Sequence, residues 1–362
     1  MLDVSDSIKV MIWNRRFLSC VGLWPLKVYD PLFVFCFVYL LIHCSMALLE
    51  LLENIQSPEY IIANLTETVY LVMTLVKILV CRLKRKMIAS VVTDIQDDFL
   101  NESYKSQNER LSFLRYNNFT YKFMKASMIM TGGTSVLYYL RSLYINFDRP
   151  LIQPYDVTSY FCLCAYQSLV IHIVTFGYAG SDCFFISLIL HISSQLSVLS
   201  QQIEKAFSNP IDFKREFSKF ISRLAEIIED QLNFIFLQQL IGTTFLICLT
   251  GYHTLAVNDE GQNTKLITFF LYSMCVISTF FVYCYIGECL ISTNLNVTLY
   301  NCKWYEVSPK NLKAMHICMI RIEKPLRITA GKFFTLSLRT FTDVSDNINK
   351  KKEKVNHLLL LF

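Results

Sequence analysis

Apolar runs of about the length of a membrane-crossing helix recur along the chain, at residues 32–52, 61–80, 126–143, 158–180, 233–257 and 265–287. A helix rising 1.5 Å per residue needs about 20 residues to cross ~30 Å of hydrocarbon, so each run predicts one span. The runs are continuous rather than alternating, which speaks against a transmembrane barrel. After the fourth run the apolar positions continue through Phe184, Phe185, Leu188, Ile192, Leu196, Leu199 and Ile203, stepping mostly by three or four. Only Gly180–Ser181–Asp182 intervenes, too little for a helical hairpin across a bilayer, so a single helix continuing out of the membrane is expected. Between 212 and 230 the period stays helical but the opposite face becomes charged. There Phe213, Phe217, Phe220, Leu224 and Ile227 line up among Lys214, Arg215, Glu216, Lys219, Arg223 and Glu226, predicting an amphipathic intracellular helix. Within 304–327, Leu312, Met315, Met319 and Ile322 repeat the pattern, and Pro325 ends it.

Composition turns these runs into a class. With 53% hydrophobic and only 17% charged residues, the chain lies outside the balance of soluble domains and reads as an all-α polytopic membrane protein. Lys and Arg collect in the leader and in 81–125, 201–232 and 288–327, while 53–60, 142–157 and 258–264 hold only Arg149, which places the N-terminus in the cytoplasm. The first run lies too far in for a cleavable signal and reads as a signal anchor. The expected organisation is a cytoplasmic segment over 1–31, a six-span bundle over 32–287 with intracellular extensions at 183–232, and an intracellular anchor segment at 288–327. The start of a last span at 328–344 and a polar tail at 345–362 complete it. Of the thirteen cysteines, Cys36, Cys44, Cys162, Cys164, Cys248, Cys275 and Cys284 sit in apolar runs and behave as small hydrophobes, not as a disulfide framework.

Candidate chemistry is sparse. The histidines show no metal spacing, no Ser or Cys has a recognisable base and oxyanion partner, and no phosphate loop is present, so neither a metal, a cofactor nor an enzyme is expected. Two charges inside span two stand out. Glu67 is a functional candidate because an intramembrane carboxylate is costly, whereas Lys77 lies near the inner end and is expected to snorkel. Asp182 is read either as solvated at the headgroups or as paired with a base on the intracellular helices. Asn64-Leu-Thr66 forms a glycosylation sequon at the outer end of span two.

The C-terminal segment carries the most specific pattern. Gly22-Leu23-Trp24-Pro25 near the start, Trp304–Tyr305, and above all Pro325 through Gly331-Lys332-Phe333-Phe334 to Phe341 resemble the insect odorant receptor family. The resemblance covers about residues 15–344 and implies a seven-helix bundle with a cytoplasmic N-terminus and intracellular anchor helices. It also implies a subunit of a nonselective, ligand-gated cation channel in the plasma membrane of olfactory sensory neurons, assembled as a heterotetramer with a shared odorant co-receptor. Its partners would be that co-receptor, a small volatile odorant and membrane lipid, with no nucleic acid. By this resemblance, 212–230 and 310–324 supply the anchor, and Phe334, Leu338, Phe341 and Val344 belong to the start of the pore helix. Past Val344 the family continues with an apolar helix, whereas this chain reads SDNINKKKEKVNHLLLLF, so a shortened or altered final helix is expected.

Orientation then selects ligand candidates, because pockets in such bundles are apolar and aromatic with few polar groups. They are Tyr70 in span two, Tyr138 and Tyr139 in span three, Tyr160 and Tyr166 in span four, and Phe269 and Tyr272 in span six. Ring contacts and one Tyr hydroxyl would hold a hydrophobic volatile. Two other readings stand beside this one, a G-protein-coupled chemoreceptor and a nonfunctional truncated receptor variant.

Overall fold

The computed structural model describes residues 4–27, 29–53, 58–100, 107–148, 157–205, 232–256, 263–292, 327–343 and the single positions 300, 316 and 320. Nine long helices account for most of them. In chain order these are α1 (Val4–Ser19), α2 (Asp30–Glu53), α3 (Pro58–Leu83), α4 (Arg85–Leu100), α5 (Gln107–Asp148), α6 (Val157–Val174), α7 (Gly180–Lys205), α8 (Asn233–Ala256) and α9 (Asn263–Ser292). The predicted first, second and sixth spans lie within α2, α3 and α9, and the described part of the fifth, 233–256, forms α8.

The fourth run and the apolar positions after it form one continuous helix, as expected. Helix α6 passes through one π-helical turn, Thr175–Ala179, directly into α7, and the whole rod runs unbroken from 157 to 205. The wider turn comes where Gly177 lies against α3, with Thr74 and Ile78 filling the space a side chain would need. The third span is likewise continuous with the polar segment before it, inside the 42-residue α5. Among the described residues five helical stretches are long and apolar enough to cross a membrane: Asp30–Glu53, Tyr60–Leu83, Ala165–Gln201, Asn233–Gly251 and Ser273–Ser292. Below, "inner" denotes the side that carries α1.

Helix α2 is peripheral, exposing Val34, Phe35, Leu41, Ile42, Leu49 and Leu52, as a lipid-facing helix should. The rod α6–α7 is central, with Phe184, Phe185, Ile186, Ile189 and Leu196 buried, and α5 and α7 form the most extensive helix pair. Hydroxyls along the spans fold back onto carbonyls one turn earlier, as Thr74 does to Tyr70, Ser181 to Gly177 and Thr250 to Leu246. In hydrocarbon no water would otherwise satisfy them. The sequon lies inside α3, where Asn64 accepts from the Thr68 hydroxyl and Thr66 is buried and bonded to Ile62.

The leader is tied to the inner side by a helix stop. Leu23 N–H donates to the Leu18 carbonyl and Gly22 N–H to that of Ser19, with Gly22 at φ +68°, the bonding pattern of a Schellman cap. The turn inserts Trp24 edge-on against Phe184, and Asn14 donates from α1 to the Ser187 hydroxyl. Arg82 at the end of α3 binds Asp30 at the start of α2 while lying over the Phe33 ring, and Arg85 donates to the Pro25 carbonyl.

The C-terminal segment is where the structure departs from a continuous last helix over 328–344. Residues 329–335 form a small antiparallel hairpin, β1 (Thr329–Ala330) with β2 (Phe334–Thr335), and helix begins only at 338. The turn needs a left-handed backbone at both Gly331 and Lys332, each at φ +67°, which no α-helix accommodates. The amphipathic stretch 212–230, Val344 and the tail 345–362 lie outside the described residues, as does all of 310–324 except positions 316 and 320.

Candidate functional site

A charged cluster occupies the middle of the bundle. Lys77, on α3, has no exposed surface; its Nζ donates to Asp182 Oδ1 on α7 at 2.5 Å and sits 3.5 Å above the Tyr178 ring. Tyr283 on α9 donates its hydroxyl to the same oxygen at 2.7 Å. Asp182 Oδ2 is buried and accepts no hydrogen bond. The snorkelling expectation for Lys77 is therefore corrected, because a partner of opposite charge stands within reach across α3 and α7 and turning inward costs less than leaving Asp182 alone. Asp182 does pair with a base, but on span two rather than on an intracellular helix. Glu67 is exposed on α3, unlike the buried Lys77.

An aromatic patch continues outward from the charges. Tyr70 lies seven residues before Lys77, about 10 Å along the same helix, and its ring centroid is 4.4 Å from that of Tyr178. Gln239 on α8 exchanges hydrogen bonds with the Tyr178 hydroxyl and reaches Thr243. Met73, Tyr178, Leu246 and Val276 form a separate apolar cluster flanked by Val69, Tyr70 and Ile247. It joins α3, the π turn, α8 and α9, and makes a floor from which these helices continue outward.

Of the predicted ligand residues, Tyr70 alone has its side chain described on this floor. Tyr166 lies elsewhere, at the seam between α2 and α6, where its hydroxyl meets His43 Nδ1 at 3.0 Å and its backbone carbonyl accepts from Tyr39 at 2.8 Å. Tyr138 and Tyr139 fall on α5, Tyr160 on α6, and Phe269 and Tyr272 on α9, and their side chains lie outside the described set. Sequence reasoning did not pick out Tyr178 or Gln239. The readable signal was the pair of opposite charges, Lys77 and Asp182, in two apolar runs, since buried charges seek each other.

The segment assigned to the start of the pore docks on the inner ends of α8 and α9. Ile328, Ala330 and Leu336 are buried, and Leu336 N–H returns to the Ile328 carbonyl at 2.9 Å. Asn233 at the start of α8 accepts from Lys332 N–H, while Glu288 on α9 accepts from Leu338 N–H. Ser337 caps the following turn, accepting from Thr340 N–H at 3.3 Å. Phe334 packs on the main core, and Phe341 meets Phe280 and Phe281 at 5.8 and 5.3 Å between centroids.

A family model described as the 7tm odorant receptor matches residues 57–348, most of the chain. The chain belongs to the odorant receptor family. Putative odorant receptor 92a of Drosophila melanogaster is 23% identical to it over 295 residues, covering 72% of this chain and 70% of that one. Odorant receptor 2a of Drosophila melanogaster is 29% identical over 143 residues, 39% of this chain and 36% of the relative. The odorant receptor coreceptor of Ooceraea biroi is 29% identical over 148 residues, 40% of this chain and 30% of the relative. The chain thus spans about a third of the length of these last two relatives. Its fold is that of the solved insect olfactory receptor OR5 from Machilis hrabei, with a TM-score of 0.80 at 17% identity, covering 99% of both chains. The same receptor in complex with eugenol gives 0.78 at 16% identity, covering 95% of this chain and 97% of that one.

The chain is therefore an all-α, multi-pass membrane protein with the seven-helix fold of its family, a family of receptors rather than enzymes. The apolar cluster around Tyr178 carries rings, the Met73 thioether and the Gln239 amide. Among the described residues no group of three or more His, Cys, Asp or Glu could hold a metal.

Proposed function

We propose that this chain is an odorant receptor subunit that binds a small hydrophobic volatile in the outer half of its bundle and gates a nonselective cation channel formed with the odorant co-receptor. The observation that carries the reading is the Tyr70–Tyr178 floor at the centre of an odorant receptor fold. Rings stacked against Met73 and Val276 suit an apolar guest, and Gln239 with the Tyr178 hydroxyl supplies the few polar contacts that fix orientation. Tyr138, Tyr139, Tyr160, Phe269 and Tyr272 are the further ligand contacts of this reading, and Tyr166 acts from the α2–α6 seam. The eugenol complex of the Machilis hrabei receptor supports the ligand class, and the coreceptor relatives support the partner.

Phe334, Leu338, Phe341 and Val344 lead into the pore-lining helix, and 212–230 and 310–324 form the intracellular anchor of a heterotetramer. The subunit works in the plasma membrane of olfactory sensory neurons, in contact with its lipid. The test is co-expression with the co-receptor, recording surface delivery and cation current across a panel of volatiles. Tyr70→Ala, Tyr138→Ala and Tyr272→Ala should shift the dose-response at equal surface expression. Unchanged curves for all three would overturn the pocket assignment.

A further inference from the structure

The Lys77–Asp182–Tyr283 cluster is not part of the proposed pocket, yet it lies between that pocket and the C-terminal segment. Its hydrogen bonding is lopsided. Asp182 Oδ1 accepts from both Lys77 Nζ, at 2.5 Å, and Tyr283, at 2.7 Å, while Oδ2 is buried and takes none. A buried carboxylate oxygen ordinarily has a partner, and the unused Oδ2 is an acceptor on the same carboxylate as the one both donors now share. Moving either donor from Oδ1 to Oδ2 keeps the number of bonds and changes only where the donor's helix sits. Two arrangements of similar bonding, on three different helices, make a bistable element rather than a rigid tie.

Both ends of this element are connected. On the outer side the Lys77 ammonium rests on the Tyr178 ring, which is packed against Tyr70. Tyr178 belongs to the π turn, and π turns inside α-helices are frequent at functional sites. On the inner side Tyr283 packs edge-on against Phe236 of α8, and within a turn of it on α9 Phe280 and Phe281 hold Phe341. Glu288, further along α9, holds Leu338 N–H. A shift of Tyr283 from one oxygen to the other thus moves the surface on which 338–343 rests.

We infer that Lys77, Asp182 and Tyr283 are positioning residues forming a two-position switch, through which displacement of the Tyr70–Tyr178 pair is passed to the docked C-terminal segment. The inference rests on the receptor reading for the nature of the signal, a ligand at Tyr70, but the mechanical coupling is independent of it. Spatial sequence alone does not establish coupling, so the decisive quantity is non-additivity.

Full-length protein in nanodiscs would be treated with trypsin, following cleavage after the exposed Arg339. Tyr70→Ala removes the ring that props Tyr178, and Tyr283→Phe removes one donor while keeping its packing. Tyr70→Ala should change the cleavage rate by about threefold or more, within the range such couplings command. The same substitution should leave the rate unchanged in the Tyr283→Phe background. Equal effects of Tyr70→Ala on cleavage with and without the Tyr283 hydroxyl would overturn the switch, as would no effect in either. Should Tyr70→Ala fold poorly, Tyr70→Leu, which also removes the ring, gives the same comparison. Current recorded on co-expression with the co-receptor separates the two levels. If the chain adds no current to the co-receptor alone, the channel reading fails, while the cleavage cycle still decides the switch.

Discussion

Gly287 is a point of close backbone approach between the helical bundle and the C-terminal segment. A methyl group there would overlap the Leu336 carbonyl oxygen and lie 3.0 Å from its carbon and 3.4 Å from the Leu336 Cβ, against 3.4–4 Å for ordinary contact. The obstacle is backbone, pinned by the Leu336–Ile328 hydrogen bond and by the Glu288–Leu338 bond on the next residue of α9, so it cannot swing aside as a side chain would. Gly287→Ala must therefore part α9 from residue 336 by about 1 Å in a close-packed contact. Overpacking of this kind costs about 1–3 kcal/mol. Alanine gains about 1 kcal/mol of helix propensity in compensation. Gly251→Ala in α8, where no atom lies within 4 Å, carries that gain without the overlap. The difference between the two variants isolates the clash, and it corresponds to roughly a 5- to 150-fold rise in the undocked population at 1.4 kcal/mol per factor of ten. The assay is tryptic cleavage at Arg339 together with the melting temperature in detergent micelles. Indistinguishable cleavage and melting for Gly287→Ala and Gly251→Ala would refute the claim that residues 328–343 dock on α9 through this contact.

Three further outcomes follow from local geometry. Ser337→Ala removes the cap on Thr340 N–H, worth about 1 kcal/mol, and should speed cleavage at Arg339 without lowering the global melting temperature. Tyr166→Phe gives up the His43 hydrogen bond, a loss of about 0.5–1.5 kcal/mol, but keeps the ring against Tyr39. It should lower the melting temperature while shifting the dose-response of the co-expressed receptor less than Tyr70→Ala does. Gly242→Ala meets the side chain of Met73 rather than backbone, and because Met73 can turn away, its melting loss should be smaller than that of Gly287→Ala.

Much of the membrane architecture was legible because it depends on properties that are local in the chain. Apolar length located α2, α3, α8 and α9, and the absence of a turn signal at Gly180–Ser181–Asp182 joined α6 to α7. The motif around Gly331 and Phe341 carried the family. The candidate site was legible only in part. Tyr70 was found because it is aromatic and central in span two, but its neighbour Tyr178 comes from 108 positions further along the chain and meets it only when the π turn packs on α3. Tyr166 looked equivalent to Tyr70 by depth, yet depth says nothing about which side of a helix faces the bundle, and Tyr166 faces α2.

By itself, the sequence determined that this is a multi-pass membrane protein and which family it belongs to, since hydrocarbon thickness and backbone hydrogen bonding leave a long apolar run few alternatives to a helix. Tertiary structure alone decided the fate of its charges and of its last described segment. Lys77 was free to reach the inner interface or to turn inward, and only the arrival of Asp182 and Tyr283 from two other helices made burial the cheaper choice. Residues 329–335 were apolar enough for the start of a span, but the left-handed turn at Gly331–Lys332 and the docking sites offered by Asn233, Gly287 and Glu288 make them a hairpin.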